Sequence, residues 1–286
     1  MAAEQVGQAS LRAEDVDRQV KNFALEEFEA MKACIIQKAS GWKQTYFEET
    51  DSDLTKTVTT GVTATSFGQV PRLAEFPYSE TSWTEVNTRL IKHAIRGDIS
   101  WEDVVSDNIP VQARTLLRLT RGVTKSIDKA IITEIATTTQ TAAASATWDN
   151  ADPAIRDPIG DLLQARATMK IANWESKDGF CFMHPTDKMN LMKNHKVVNQ
   201  SQFYSSIVTS EGTVERICGL KIIECNACTA RTVLITAQKS AMVWYEAHAL
   251  STDTQYKAGQ SYTIRVWAVG VPVLINNNAA YKLTGC

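Results

Sequence analysis

Two groups of side chains have types and spacings that could do chemistry. The first is Cys225-Asn-Ala-Cys228, a C-x-x-C pair. Thiols at that spacing serve as a redox dithiol or as half of a zinc site. A zinc site needs a second pair, and Cys218 with one of His93, His184, His195 or His248 is the available supply. A thioredoxin-like dithiol opens a helix after a strand. Here Thr229-Ala-Arg-Thr-Val-Leu-Ile-Thr236 reads as a loop and then another strand, which favours structural thiols packed as small apolar groups. The second group is Arg114, Arg118, Arg121 and Lys125. On a helix turning about 100° per residue these four share one narrow stripe. Such a stripe is either a solvated polar face or a phosphate-facing surface that touches nucleic acid without reading its sequence.

Other candidates carry less. No G-x-S-x-G, H-E-x-x-H, G-x-G-x-x-G or Walker A sequence is present. Gly122-Val-Thr-Lys-Ser126 is similar to the end of a P-loop, but its Gly and Lys are not adjacent and it lies inside a helical pattern. His184-Pro185 starts a helix after a strand with no carboxylate or nucleophile at a recognisable spacing, so a structural role is expected. Asp149, Asp152 and Asp157 lack EF-hand spacing and read as a polar loop. No catalytic residue, metal or cofactor is expected.

The elements that position these groups show in the hydrophobic pattern. Val16, Val20, Phe23, Phe28, Met31 and Ile35 recur near one face at helical spacing, predicting an amphipathic helix over Leu11 to Ser40 with Ser10 and Gly41 as caps. Its partner is either the chain's own core or a neighbouring subunit. Ser100-Trp-Glu-Asp103 has the spacing of a capping box and opens a short helix. Ile109-Pro110 starts a helix running to Ile135, roughly 40 Å long at 1.5 Å per residue. Leu116, Leu119, Val123, Ile127, Ala130 and Ile131 form its apolar face, away from the basic stripe. Thr137 to Asn150 reads as a linker or fraying helix end and as a subdomain boundary. A mixed α/β pattern follows. Helices are expected after Asp157-Pro158 and over Pro185 to Asn194. Strands are expected at 179–183, 220–224, 232–235, 241–245, 262–268 and 271–275, with Pro272 favouring an edge or bulge.

Between the two helical regions lies a long excursion from Asp51 to Arg96. Its outgoing leg, Lys56 to Thr65, is rich in Thr and Val, which favour extended backbone, but has few large apolar groups. Gly68 and Pro71 mark a turn, and the return leg spans Thr84 to Ile95. A two-stranded excursion without a core is marginal in water, so a second copy of the chain is its expected support, the alternative being an ordinary surface hairpin on a monomer. Lys56, Phe67, Arg72, Phe76 and Tyr78 are the candidate inter-subunit contacts.

Composition sets the outer bounds. The chain has 286 residues, 44% hydrophobic and 22% charged, which is globular composition with length for a substantial core. A net charge of -2 gives no global field that would attract nucleic acid. The first ten residues lack a basic n-region and an apolar h-region, and no apolar run reaches membrane-spanning length. Synthesis in a cytoplasm and no membrane partner are therefore expected, and six sparse cysteines fit that setting.

The order of elements resembles the HK97-fold major capsid proteins of tailed double-stranded DNA bacteriophages, from about Glu48 to the C-terminus. Ser82-Trp-Thr-Glu-Val-Asn-Thr-Arg-Leu-Ile-Lys-His-Ala-Ile-Arg-Gly-Asp-Ile-Ser-Trp-Glu-Asp-Val104 resembles the return strand of that family's extended loop running into its short helix. Ile109 to Ile135 resembles the spine helix. Asn173-Trp174 and Phe180 to Leu191 resemble the strand and helix of the axial domain. Ile264 to Val271, Asn278 to Tyr281 and Leu283-Thr284 resemble the last peripheral strands. The resemblance implies an α+β, HK97-like capsid fold with a helical N-terminal arm over 1–50 and an extended loop over 51–97. A peripheral domain would take 98–147 and 258–286, with the spine helix, and an axial domain 148–257.

The function so implied is self-assembly into hexamers and pentamers of an icosahedral shell around packaged double-stranded DNA. Portal and scaffolding proteins would be partners, and the virion capsid the location. The spine helix of that family lies toward the shell interior, which turns Arg114, Arg118, Arg121 and Lys125 toward DNA. Some members cross-link through Lys and Asn; Lys56 and Asn276 to Asn278 supply those groups without a local motif. The alternatives are an encapsulin-like nanocompartment shell and a thiol-dependent enzyme.

Overall fold

The computed structural model describes residues 18–21, 28–49, 83–106, 111–152, 154–172, 174, 178–194, 216–238, 241–257 and 259–286. Its strands are β1 (Cys34–Lys38), β2 (Lys43–Glu49), β3 (Trp83–Arg89), β4 (Ile91–Ser100), β5 (Thr141–Ala143), β6 (Phe180–Met183), β7 (Arg216–Ile217), β8 (Leu220–Glu224), β9 (Thr232–Thr236), β10 (Met242–Lys257), β11 (Ser261–Leu274) and β12 (Ala280–Thr284). Its helices are α1 (Trp101–Ser106), α2 (Val111–Ile135), α3 (Pro158–Ile171) and α4 (Pro185–Lys193). Short 3-10 turns stand at Ala30–Ala33 and Asn277–Ala279.

The long helix forms where its 3.6-residue pattern places it. Leu116, Leu119, Val123, Ile127 and Ile131 are buried, with Ala130 at the margin. That face lies on β4 and β11, and Leu119 comes close enough to Gly97 of β4 to leave little room for a side chain there. Thr120 and Thr124 turn their hydroxyls back to the carbonyls of Leu116 and Thr120, so these polar groups are satisfied inside the helix. Ser100 Oγ accepts from Asp103 N at 3.1 Å and caps α1 as its spacing predicts.

Two sheets surround this helix. One has the order β1-β10-β11-β4, the other β5-β12-β9-β6-β8-β7. In the first sheet β10 and β11 form a long antiparallel pair, with register shifts at Glu246/His248 and His248/Ser251. β11 is one strand from Ser261 to Leu274, where two were expected. β4 stops pairing at Gly270, so Pro272 bonds only toward Trp244 of β10. The proline thus stands where β11 has a neighbour on one side, and its missing N–H breaks no ladder.

Three expectations are corrected. The predicted helix over Leu11 to Ser40 is helical at 18–21, but Cys34–Lys38 is a strand paired in parallel with Met242–Glu246. The apolar spacing there fits either period, and a long-range partner decides for the strand. The helical N-terminal arm over 1–50 therefore also contains β1 and β2, and Gly41 caps no helix. The tract 137–150 is no linker: β5 pairs with β12, and Trp148 is buried with Nε1 donating to Asp161 Oδ2 at 3.0 Å. β12 belongs to the sheet of β6, β8 and β9, and β10 belongs with β11. The two sheets thus each combine strands from 141–257 or earlier with strands from 261–286.

The excursion is anchored by a ribbon. β2 pairs with β3 from Lys43↔Arg89 to Glu49↔Trp83, so its outgoing side begins earlier than the expected Lys56–Thr65 leg. Along β2, Gln44, Tyr46 and Glu48 are half-buried, and Lys43, Thr45 and Phe47 are exposed. This period of two gives the ribbon one face toward the body and one toward solvent. Lys56, Phe67, Arg72, Phe76 and Tyr78 lie outside the described residues.

Candidate functional site

The basic stripe survives folding intact. Arg114, Arg118, Arg121 and Lys125 are all exposed on α2, opposite its buried face. Lys129, four residues on, is also exposed and extends the stripe, and the sequence reading missed it. At about 100° per residue the five cations share an arc of about 80°. Continuing the same four-residue step would have found it.

The stripe has two environments. Arg121 and Lys125 border a cavity of about 350 Å³ with Glu29, Asp128 and Cys225. Lys129 borders another of about 400 Å³, formed with Tyr46 and Thr88 of the ribbon and Pro272 of β11. The helix thus meets the N-terminal segment on one side and the ribbon on the other.

Asp128 joins that segment to the helix. Its carboxylate accepts the backbone N–H groups of Glu29 at 3.3 Å and Ala30 at 3.2 Å. Burial nevertheless raises its pKa from 3.8 to about 6, with the N–H donors pulling the other way. A folded value above the unfolded one means that the fold takes up a proton. The resulting stabilisation is complete below the unfolded value of 3.8 and is lost as pH rises through about 6. Relative to Asp128→Asn, the wild-type chain should gain about 1 kcal/mol of stability between pH 7 and pH 5. Urea denaturation of both chains at the two pH values checks this. A difference that does not change with pH would rule it out.

The remaining chemical candidates become structural. His184 caps α4, its Nδ1 accepting from Thr186 N at 3.3 Å. Asp149 pairs with Arg231 at 2.8 Å, and Asp157 caps α3. Gly122 to Ser126 lie within α2. Asn276 accepts from Asn278 N, Asn277 donates to Glu48, and Asn278 accepts from Gln140. These asparagines are engaged within one chain, and Lys56 lies outside the described residues. Among the described residues, no three His, Cys, Asp or Glu side chains converge as a metal site.

Residues 83–283 match the family described as phage capsid protein. The chain belongs to that family. The match covers the return strand of the excursion, the spine helix α2 and nearly all of both sheets of this capsid chain. No curated protein matches it. Solved structures share its fold. The capsid of cyanophage P-SCSP1u is similar with a TM-score of 0.64 at 13% identity, over 99% of this chain and 91% of that one. Mycobacterium phage Che8 gives 0.62 at 14% identity, over 99% and 93%. A virus-like particle from Pyrococcus furiosus gives 0.63 at 12% identity, over 96% and 100%. The fold is HK97-like, and the chain is a capsid shell protein whose role is structural.

Proposed function

We propose that copies of this chain form the hexamers and pentamers of an icosahedral shell, with α2 facing packaged double-stranded DNA. The observation that carries the DNA contact is the line of exposed cations on α2, set against a face buried in the body. With a net charge of -2 the chain has no general attraction for polyanions, so a local stripe must supply it. Its contacts would go to phosphates and would weaken steeply with salt. The ribbon β2–β3 reaches a neighbouring copy. Portal and scaffolding proteins are the partners that this family role implies, with synthesis in the host cytoplasm. No catalytic step is assigned. The nanocompartment alternative shares the fold but gains no separate support from it.

Electron microscopy of the purified chain, with and without a scaffolding partner, tests the shell. A chain that stays monomeric under every assembly condition would overturn it. The interior stripe is tested by Arg118→Glu combined with Arg121→Glu. These shells should form but retain DNA at least tenfold less well, since each lost phosphate contact also lowers the salt slope by about one. Wild-type packaging in the double variant would place the stripe elsewhere.

A further inference from the structure

The C-x-x-C pair closes a tight turn between β8 and β9. Cys225 N donates to Met183 O at 3.0 Å, which pins the start of the turn to β6. Cys228 N donates to Cys225 O at 3.1 Å, so the two residues are the first and last of a hydrogen-bonded β-turn. The ends of such a turn lie less than about 7 Å apart at Cα, and a disulfide needs about 4.4–6.8 Å.

Both residues have little direct exposure, 3% for Cys225 and 5% for Cys228. Yet Cys225 borders the cavity of about 350 Å³ beside Arg121, Lys125, Glu29 and Asp128. Its neighbours thus include two cations and two acids, and a small reagent has room to reach it. The other thiols differ. Burial pushes Cys34 and Cys181 up to about 12 and also raises Cys218 and Cys286. Cys225 alone of the six is lowered, chiefly by the neighbouring Cys228 thiol. A thiol at the cavity and a second thiol at the other end of the same turn are the two parts that exchange requires.

We propose that Cys225 and Cys228 form a reversible dithiol switch, oxidised through the adjoining cavity by a small-molecule disulfide. The Cys225 thiolate attacks one sulfur of that disulfide and expels one small thiolate. Cys228 then loses its proton and attacks Cys225 Sγ, expelling the second. The protein gives up two electrons and two protons, and the disulfide becomes two thiols. In a reducing cytoplasm the pair stays open. In an oxidising surrounding it closes and locks the turn that opens the loop between β8 and β9. This proposal is independent of shell formation or DNA contact.

The test treats the folded full chain with oxidised glutathione, caps free thiols with N-ethylmaleimide, and reads peptides by mass spectrometry. The peptide bearing Cys225 and Cys228 should lose two hydrogens and take no label, while Cys34, Cys181 and Cys286 stay reduced. Dithiothreitol should restore labelling. The Cys228→Ser chain should instead accumulate glutathione on Cys225. Full labelling of both thiols after oxidation, or oxidation only once urea has unfolded the chain, overturns the proposal. If Cys228→Ser does not fold, the wild-type result decides alone.

Discussion

A chain carrying Trp42→Asp and Phe47→Asp folds but closes no shells. Trp42 is 70% exposed and Phe47 58%, each far from what a large apolar side chain adopts inside a body. Phe47 stands on the outer face of the β2–β3 ribbon opposite Glu85, and Trp42 precedes the ribbon, its carbonyl accepting from Leu90 N. Changing exposed groups alters folding stability by about 0.5 kcal/mol or less. Burial against another copy would contribute about 3 kcal/mol per side chain, and a charge there reverses the sign. The loss recurs at every copy of a repeating shell, so assembly fails even where one contact would only weaken. Light scattering under assembly conditions and circular dichroism of the free chain separate the two effects. Shells of normal yield would show that these side chains take no part in the lattice. Deleting Val58 to Tyr78 is the coarser version, leaving the β2–β3 ribbon in place.

Gly270→Ala should destabilise the chain by about 3 kcal/mol, the upper part of the range for overpacking a filled core. A Cβ there would lie 2.3 Å from Cζ2 of Trp244 and 2.9 Å from the carbonyl oxygen of Tyr245. Trp244 is buried, with its ring beside His93, so the indole has nowhere to move. The backbone of β10 is held as well, because Gly270 pairs with Glu246 on one side and Ile91 on the other. Chemical denaturation of the unassembled variant gives the number. A loss within about 0.5 kcal/mol, ordinary for a surface change, would mean that β10 and β11 can separate without cost.

The parts legible in the sequence are those with a local period. α2 follows from Leu116, Leu119, Val123, Ile127 and Ile131, and the same spacing lines up the cations. α3 and α4 are announced by Asp157-Pro158 and His184-Pro185, whose side chains cap as their types suggest. The misses depend on distant partners. Phe28, Met31 and Ile35 mimic a helix, but β1 exists because β10 accepts it. Thr141–Ala143 is too short and plain to read as a strand, and it becomes one only beside β12. The apolar run predicts a strand ending at Tyr245, yet β10 runs to Lys257 because β11 stays alongside its polar half. The basic stripe was visible from spacing alone, while the cavity beside Cys225 required three separate elements to meet.

The parallel joining of β1 to β10 sets an order of events. Cys34 has no strand partner until Met242 exists, and β4 waits likewise for β11. During synthesis the first sheet cannot close before about Leu274 has left the ribosome, and the second waits for β12. Contacts so distant along the chain form late and slowly. A chain that stops before Leu274 can finish neither sheet, and one that stops before β12 cannot finish the second. Both sheets are thus closed by strands from the last part of the chain, so neither can form from its early part alone.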